Sequence, residues 1–246
     1  MRPILTSTDL KAALSIDGFA IVEKVLGRDE IASLITALER LQNGESALRR
    51  KGAVFAMRNL LENVAEIGAL ARSAKLHRLV EPVLGSNFRP VRGILFDKVE
   101  GANWKVPWHQ DVTIAVKARV EAEGFGPWST KAGVLHVQPP TSVLENIVSV
   151  RLHLDECAEG NGALRVIPGS HSRGRIAEGE VQAVWAAERE VVCAVAAGGA
   201  LLMRPLLLHA SSVSESPAHR RVIHLDFSSV NLPSGMRWHA EGASSS

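Results

Sequence analysis

The spacing of apolar and polar positions changes about a third of the way along the chain. Before Phe88 it is helical. Ile31, Leu34, Ile35, Leu38 and Leu41 share one helical face behind Gly27 and Asp29. Leu60 to Ala71 and Leu76 to Leu84 predict two more helices. Ser7 and Thr8 ahead of Asp9-Leu10 predict a short capped helix over 7–15. A single strand, Phe19-Ala20-Ile21-Val22, follows the Asp17-Gly18 turn. After Phe88 the pattern predicts strands over 90–99, 147–155, 163–168, 191–195, 200–204 and 221–229, punctuated by Gly, Pro, Asn and Asp.

Two of these strands alternate with period two. In 147–155, Ser149, Arg151, His153 and Asp155 share one face, and Val148, Val150, Leu152 and Leu154 the other. In 220–227, Arg220, Val222, His224 and Asp226 lie opposite Ile223, Leu225 and Phe227. Alternation gives each strand one apolar and one polar face. The apolar faces offer the N-terminal helices a partner. The polar faces either meet solvent or line a cavity, and the pattern alone leaves both open.

The expected architecture is mainly β with N-terminal helices: one domain over 1–246, helical to about residue 87, with an antiparallel sandwich or barrel over about 88–230. Residues 112–146 read as a long loop, functional or disordered. The tail from about 240 reads as disordered. Hydrophobic residues at 46% and charged residues at 22% are globular values, which exclude a disordered chain or a coiled-coil rod. A net charge of +2 with no basic stripe argues against a nucleic-acid partner. No apolar run approaches the roughly 20 residues of a membrane span. Cys157 and Cys193 form neither a disulfide framework nor a CxxC pair, so a reduced, cytoplasmic setting is expected.

Three His-x-Asp pairs occur: His109/Asp111, His153/Asp155 and His224/Asp226. Such a pair plus a distant histidine can take one face of an octahedral iron and leave the other positions open. Nine histidines among 26 acids make about one pair expected by chance, so context has to choose. His224/Asp226 lies mid-strand with only His239 after it, and Asp155 stands at a turn. His109/Asp111 follows Val106-Pro107-Trp108 at the mouth of the long loop, where ligands often sit. Downstream, His209 ends the run Leu201 to Leu208, and Arg220-Arg221 supplies a guanidinium fork for a dicarboxylate. Parity favours Arg220, which shares a face with His224, and Ser211 is placed to add a hydroxyl donor.

These residues carry a family resemblance. Leu95-Phe96-Asp97-Lys98, Trp108-His109-Gln110-Asp111, the run Asn161 to His171 (NGALRVIPGSH) and His209-Ala210-Ser211 through Arg220-Arg221 together resemble the phytanoyl-CoA dioxygenase family of iron(II)/2-oxoglutarate oxygenases. The resemblance spans most of residues 17–229. It implies a double-stranded β-helix, or jelly roll, with helices on one sheet. It implies iron(II) held by His109, Asp111 and His209, with 2-oxoglutarate and O₂ as cosubstrates. Arg220, Ser211 and a residue near Ile94 would contact 2-oxoglutarate. The implied reaction is oxidation of an aliphatic C–H of a small molecule, with release of succinate and CO₂. The family often dimerises, so a monomer or a homodimer is expected. Ala210 departs from the glycine often found after the second histidine, which is tolerable if the backbone there does not need φ > 0.

Arg151, His153, Trp128 and Lys98 are candidate substrate contacts. Each has a plainer role open to it: an ion pair for Arg151 and His153, buried area for Trp128, a solvated strand position for Lys98. A rival for the whole chain is a cupin-like jelly-roll protein that binds a metal or metabolite without turnover. The adjacent histidines and glutamate of a first cupin motif are absent.

Overall fold

The computed structural model describes residues 6–41, 47–50, 53–215 and 219–241. The helices are α1 (Ser7–Ile16), α2 (Arg28–Glu39), α3 (Leu60–Asn63), α4 (Ala65–Ala71), α5 (Ala74–Leu84), α6 (Thr141–Leu144) and α7 (Val181–Ala187). The strands are β1 (Phe19–Val22), β2 (Ala47–Arg50), β3 (Ala53–Met57), β4 (Arg89–Phe96), β5 (Val106–His109), β6 (Ile114–Val116) and β7 (Trp128–Lys131). They continue with β8 (Val134–Val137), β9 (Ile147–His153), β10 (Leu164–Val166), β11 (Val191–Cys193), β12 (Ala200–Met203), β13 (His209–Ser211) and β14 (Val222–Ser228).

The strands form a seven-stranded sheet in the order β1-β12-β9-β14-β4-β3-β2, a four-stranded sheet β11-β10-β13-β5 and a three-stranded sheet β6-β8-β7. All pairings are antiparallel. The two larger sheets share a cavity between them, as in a jelly roll.

The large sheet is buried on both faces. Val148, Val150, Leu152, Ile223, Leu225 and Phe227 pack against Leu10 and Leu14 of α1, Leu34 and Leu38 of α2, and Leu76 and Val80 of α5. Each such side chain contributes about 1.5–3 kcal/mol by leaving water. On the opposite face Ser149, Arg151, His153, His224 and Asp226 are also buried. The polar face therefore looks inward, because the small sheet covers it.

Local signals explain the helix ends. Thr6, one residue before the expected caps, accepts from Asp9 N, and the Asp9 carboxylate returns to Thr6 N at 2.8 Å. Val64 takes an extended conformation and splits the stretch 60–71 into α3 and α4.

Residues 112–146 are not a structureless loop. They hold β6, β7, β8 and α6. Ile114, Val116 and Val137 pack with Trp238 in a second core. These strands are three or four residues long and β7 is largely exposed, so they show little apolar alternation. The expected disordered tail also starts too early: Ala240 is buried, and Glu241 N donates to Trp238 O at 3.1 Å. Residues 242–246 lie outside the described residues. Among the described residues no helix is long and apolar enough to cross a membrane.

Candidate metal centre

His109 ends β5 and His209 begins β13, and the two are paired residues in the ladder. Their rings lie 4.2 Å apart between centroids. Asp111 is brought to them by its backbone N–H, which donates to Pro205 O at 2.9 Å. One ligand atom from each of His109, Asp111 and His209 lies within 4.8 Å of the others. Asp111 Oδ2 is 3.9 Å from His209 Nε2.

The donor set fits a metal. His109 Nδ1 lies 2.9 Å from Pro107 O, and His209 Nδ1 lies 2.8 Å from Leu207 O. Carbonyls can only accept, so both Nδ1 atoms carry the proton and both Nε2 atoms keep a free lone pair, the arrangement that orients histidine ligands. Burial, then neighbouring His109, push His209 down to about 3 and keep it neutral. Burial opposes ionisation of Asp111, but His209, Arg92, His224 and His109 outweigh it and hold the carboxyl low. A neutral imidazole and an ionised carboxylate are the ligand forms.

Gln110, between the two ligands, has a structural task. Its Nε2 donates to Leu206 O at 2.6 Å and Gly174 O at 2.9 Å, and its Oε1 accepts from Ile176 N at 2.8 Å. Those bonds turn it away from the cavity and tie the ligand turn to neighbouring loops.

The other two His-x-Asp pairs are otherwise engaged. His224 Nε2 meets Asp226 Oδ1 at 2.8 Å, while Arg151 Nη1 meets His224 Nδ1 at 3.0 Å. Asp226 also accepts from Arg92 Nε at 2.5 Å and Ser149 Oγ at 2.6 Å. His153 is buried with both ring nitrogens unpartnered, and Asp155 holds Arg221.

A cavity of about 250 Å³ opens on the three ligand residues. Ile94, Arg151, Ser211 and Arg220 line it. Arg220 donates from Nη1 to Gly162 O, and its Nε is buried without a partner. Gly162 has φ +66°, and a Cβ there would stand 2.7 Å from Ser212 O, so this glycine of the NGALRVIPGSH run keeps both its turn and the carbonyl under Arg220. Ala210 is a strand residue and is not among the non-glycine residues at positive φ, so no glycine is needed there.

Three expected substrate contacts do not line the cavity. Lys98 is neither solvated nor in the pocket. It is fully buried behind Ser211, its Nζ donating to Ser211 Oγ at 3.1 Å and to Ser212 O, with the Trp104 ring 5.6 Å away. Burial, then Arg220, push it down to about 7. His153 is buried but does not line the cavity. Trp128 sits on β7 under the Arg119 guanidinium, 5.4 Å from its ring.

Sequence reasoning missed Arg58, Arg92, Thr113 and Lys131, which do line it. Parity could have found Arg92, since Arg92 and Ile94 share a face of β4. Arg58 and Lys131 belong to β3 and β7 or their ends, strands with no readable pattern.

A pattern common to the phytanoyl-CoA dioxygenase (PhyH) family matches residues 15–222. The chain belongs to the phytanoyl-CoA dioxygenase family. It is 24% identical over 173 residues to the ectoine dioxygenase of Bordetella bronchiseptica, a match covering 67% of this chain and 49% of that protein. The chain thus spans about half the length of that curated relative. Among solved structures, AviO1 from Streptomyces viridochromogenes Tue57 superposes with a TM-score of 0.67 at 22% identity, over 92% of this chain and 96% of that one. EctD from S. alaskensis, solved with 2-oxoglutarate and 5-hydroxyectoine, gives a TM-score of 0.69 at 20% identity, over 91% and 76%. At these identities the structural likeness establishes the jelly-roll fold of this family member.

Proposed function

We propose that this protein is an Fe(II)/2-oxoglutarate-dependent dioxygenase that hydroxylates an aliphatic C–H of a small molecule. The carrying observation is the convergence of His109, Asp111 and His209, both imidazoles with Nε2 free, on a cavity that Arg220 also enters. His109, Asp111 and His209 would hold the iron. Bound iron, with 2-oxoglutarate and O₂, supplies oxidative decarboxylation to succinate and CO₂ coupled to C–H oxidation.

The chain's own residues do the positioning. Arg220 presents a fixed fork to the far carboxylate of 2-oxoglutarate, and its unpartnered Nε is a donor awaiting an acceptor. Ser211, its Oγ held by Lys98, adds a hydroxyl. Ile94 packs against the cosubstrate's carbon chain. Asp111 keeps a carboxylate among the ligands, which favours hydroxylation over halide transfer. Of the three ligand residues His209 is buried, while His109 and Asp111 are partly exposed toward the cavity.

The test is anaerobic addition of iron(II) and 2-oxoglutarate to metal-free protein. A weak visible charge-transfer band is expected, absent in His109→Ala, with slow conversion of 2-oxoglutarate to succinate once air is admitted. Folded protein that shows neither overturns the proposal and leaves a non-catalytic binder.

A further inference from the structure

We infer that the substrate is an oxyanion, a small molecule carrying a carboxylate or a phosphate monoester, which Arg58 and Lys131 grip on the Asp111 side of the cavity. The inference rests on the oxygenase reading and adds the substrate's class to it.

Among the described residues five cations and one acid, Asp111, line the cavity. Two of the cations are engaged by the protein. Arg92 is neutralised by Asp226, and Arg151 is engaged by His224. A ferrous ion, the Asp111 carboxylate, a dicarboxylate and Arg220 together carry no net charge. That leaves Arg58, Lys131 and Arg151 without a counter-charge even with metal and cosubstrate in place, and of these Arg151 is bonded to His224.

Among the described residues neither Arg58 nor Lys131 is bonded to a carboxylate. Arg58 Nε is buried with no hydrogen-bond partner. Lys131 Nζ meets Thr113 Oγ1 at 3.3 Å, a neutral hydroxyl that also lines the cavity. Burial and then Arg92 pull Arg58 down, and no carboxylate acts on it. Burial, Arg92 and Arg58 do the same to Lys131, against Asp111, which raises it, and all three cations line the one cavity. Lys131 lines the cavity from an exposed position on β7, whereas Arg58 Nε is buried, and a buried cationic donor without a partner is costly unless a ligand supplies an acceptor.

The register separates them from the cosubstrate end. On β14, His224 pairs with Arg151 and Asp226 pairs with Arg92. Arg220 precedes the strand, six positions before Asp226, about 20 Å along the chain at roughly 3.3 Å per residue. Arg58 shares a small crevice with Arg92 and lines the cavity with it and Lys131, whereas Arg151 lines the cavity beside His224. Two cationic poles therefore flank the metal ligands, one for each anionic reactant.

The experiment measures binding of hexanoate, hexyl phosphate, hexanamide and hexylamine to the protein by calorimetry, with iron(II) and 2-oxoglutarate under anaerobic conditions. At least one oxyanion is expected to bind tenfold or more tighter than hexanamide, and hexylamine not at all. In the double variant Arg58→Met/Lys131→Met that preference should fall to within about threefold, while the dissociation constant for 2-oxoglutarate, read from the charge-transfer band, holds. Whichever oxyanion binds tighter identifies the headgroup. Equal binding of the amide or amine overturns the inference. So does no measurable oxyanion binding at 10 mM, or a preference that survives the double variant. Loss of 2-oxoglutarate affinity in the double variant would mean that this pair anchors the cosubstrate, and would also overturn it. Absence of the charge-transfer band in wild type refutes the oxygenase reading, and the same oxyanion comparison on metal-free protein then reports on the cation pair separately.

Discussion

Asp155 holds Arg221 at three points: its Oδ2 accepts from Arg221 Nε and from the Arg221 backbone N–H, each at 2.8 Å, and its Oδ1 accepts from Nη2 at 2.8 Å. Both arginines just precede β14, and they part: Arg221 is held by Asp155, and Arg220 lines the cavity. Arg220→Met should therefore raise the dissociation constant for 2-oxoglutarate by about 10–100-fold. Arg221→Met should leave it within about threefold and instead cost about 1–3 kcal/mol of stability. Anaerobic titration and urea unfolding of both variants separate the two effects.

The three ligand residues converge in the folded chain, so metal should stabilise the fold by mass action. Iron(II) or manganese(II) at 100 times its dissociation constant should add about 2.7 kcal/mol, reversed by a chelator. Thermal melts of wild type and His109→Ala check this, and an equal shift in both would place the metal elsewhere.

Asp226 accepts from Arg92, Ser149 and His224 while 5% exposed. Burial opposes its ionisation, yet Arg92 and then His224 and Ser149 hold the carboxyl below the ordinary carboxylate range. Asp226→Asn should cost about 3–5 kcal/mol at pH 7, because Arg92 loses its counter-charge. A depressed carboxyl stabilises the fold above its unfolded pKa of about 3.9 and loses that contribution as pH falls toward the folded value. The gap between wild type and variant should thus stay constant from pH 7 to 5 and shrink below about pH 4 in urea titrations.

His153 is 2% exposed with neither ring nitrogen bonded. Burial, then Arg151 and Arg220, keep it neutral well below the ordinary histidine range. The unfolded chain takes up a proton near pH 6.5 that the folded chain refuses, so stability falls as pH drops through 6.5. The slope per such histidine is about 1.4 kcal/mol per pH unit. His153→Leu should remove one such contribution and be neutral or stabilising at pH 5.5. A variant whose stability keeps the wild-type pH slope between 7 and 5 would refute this.

The change from helices to strands and the polar and apolar faces of two strands were legible locally, although β2, β3, α6 and α7 were not. Helices before Phe88 and strands after it follow from period, and the faces of β9 and β14 follow from parity, because neither needs a distant contact. The His-x-Asp spacing and the NGALRVIPGSH run marked the candidate site for the same reason. Local pattern could not say which polar faces were covered, nor that 112–146 folds into a sheet, since short strands earn their stability from Trp238 and other distant partners.

What the chain alone determined was a menu: three His-x-Asp pairs, two adjacent arginines, and scattered cations. Tertiary register made the choices. It set His109 opposite His209, gave Asp226 to Arg92 and His224, gave Asp155 to Arg221, and buried Lys98 behind Ser211. Each choice depends on which distant group neutralises or occupies a side chain, and electrostatic and hydrogen-bond partners are decided by proximity in space, which periodicity along one strand does not encode.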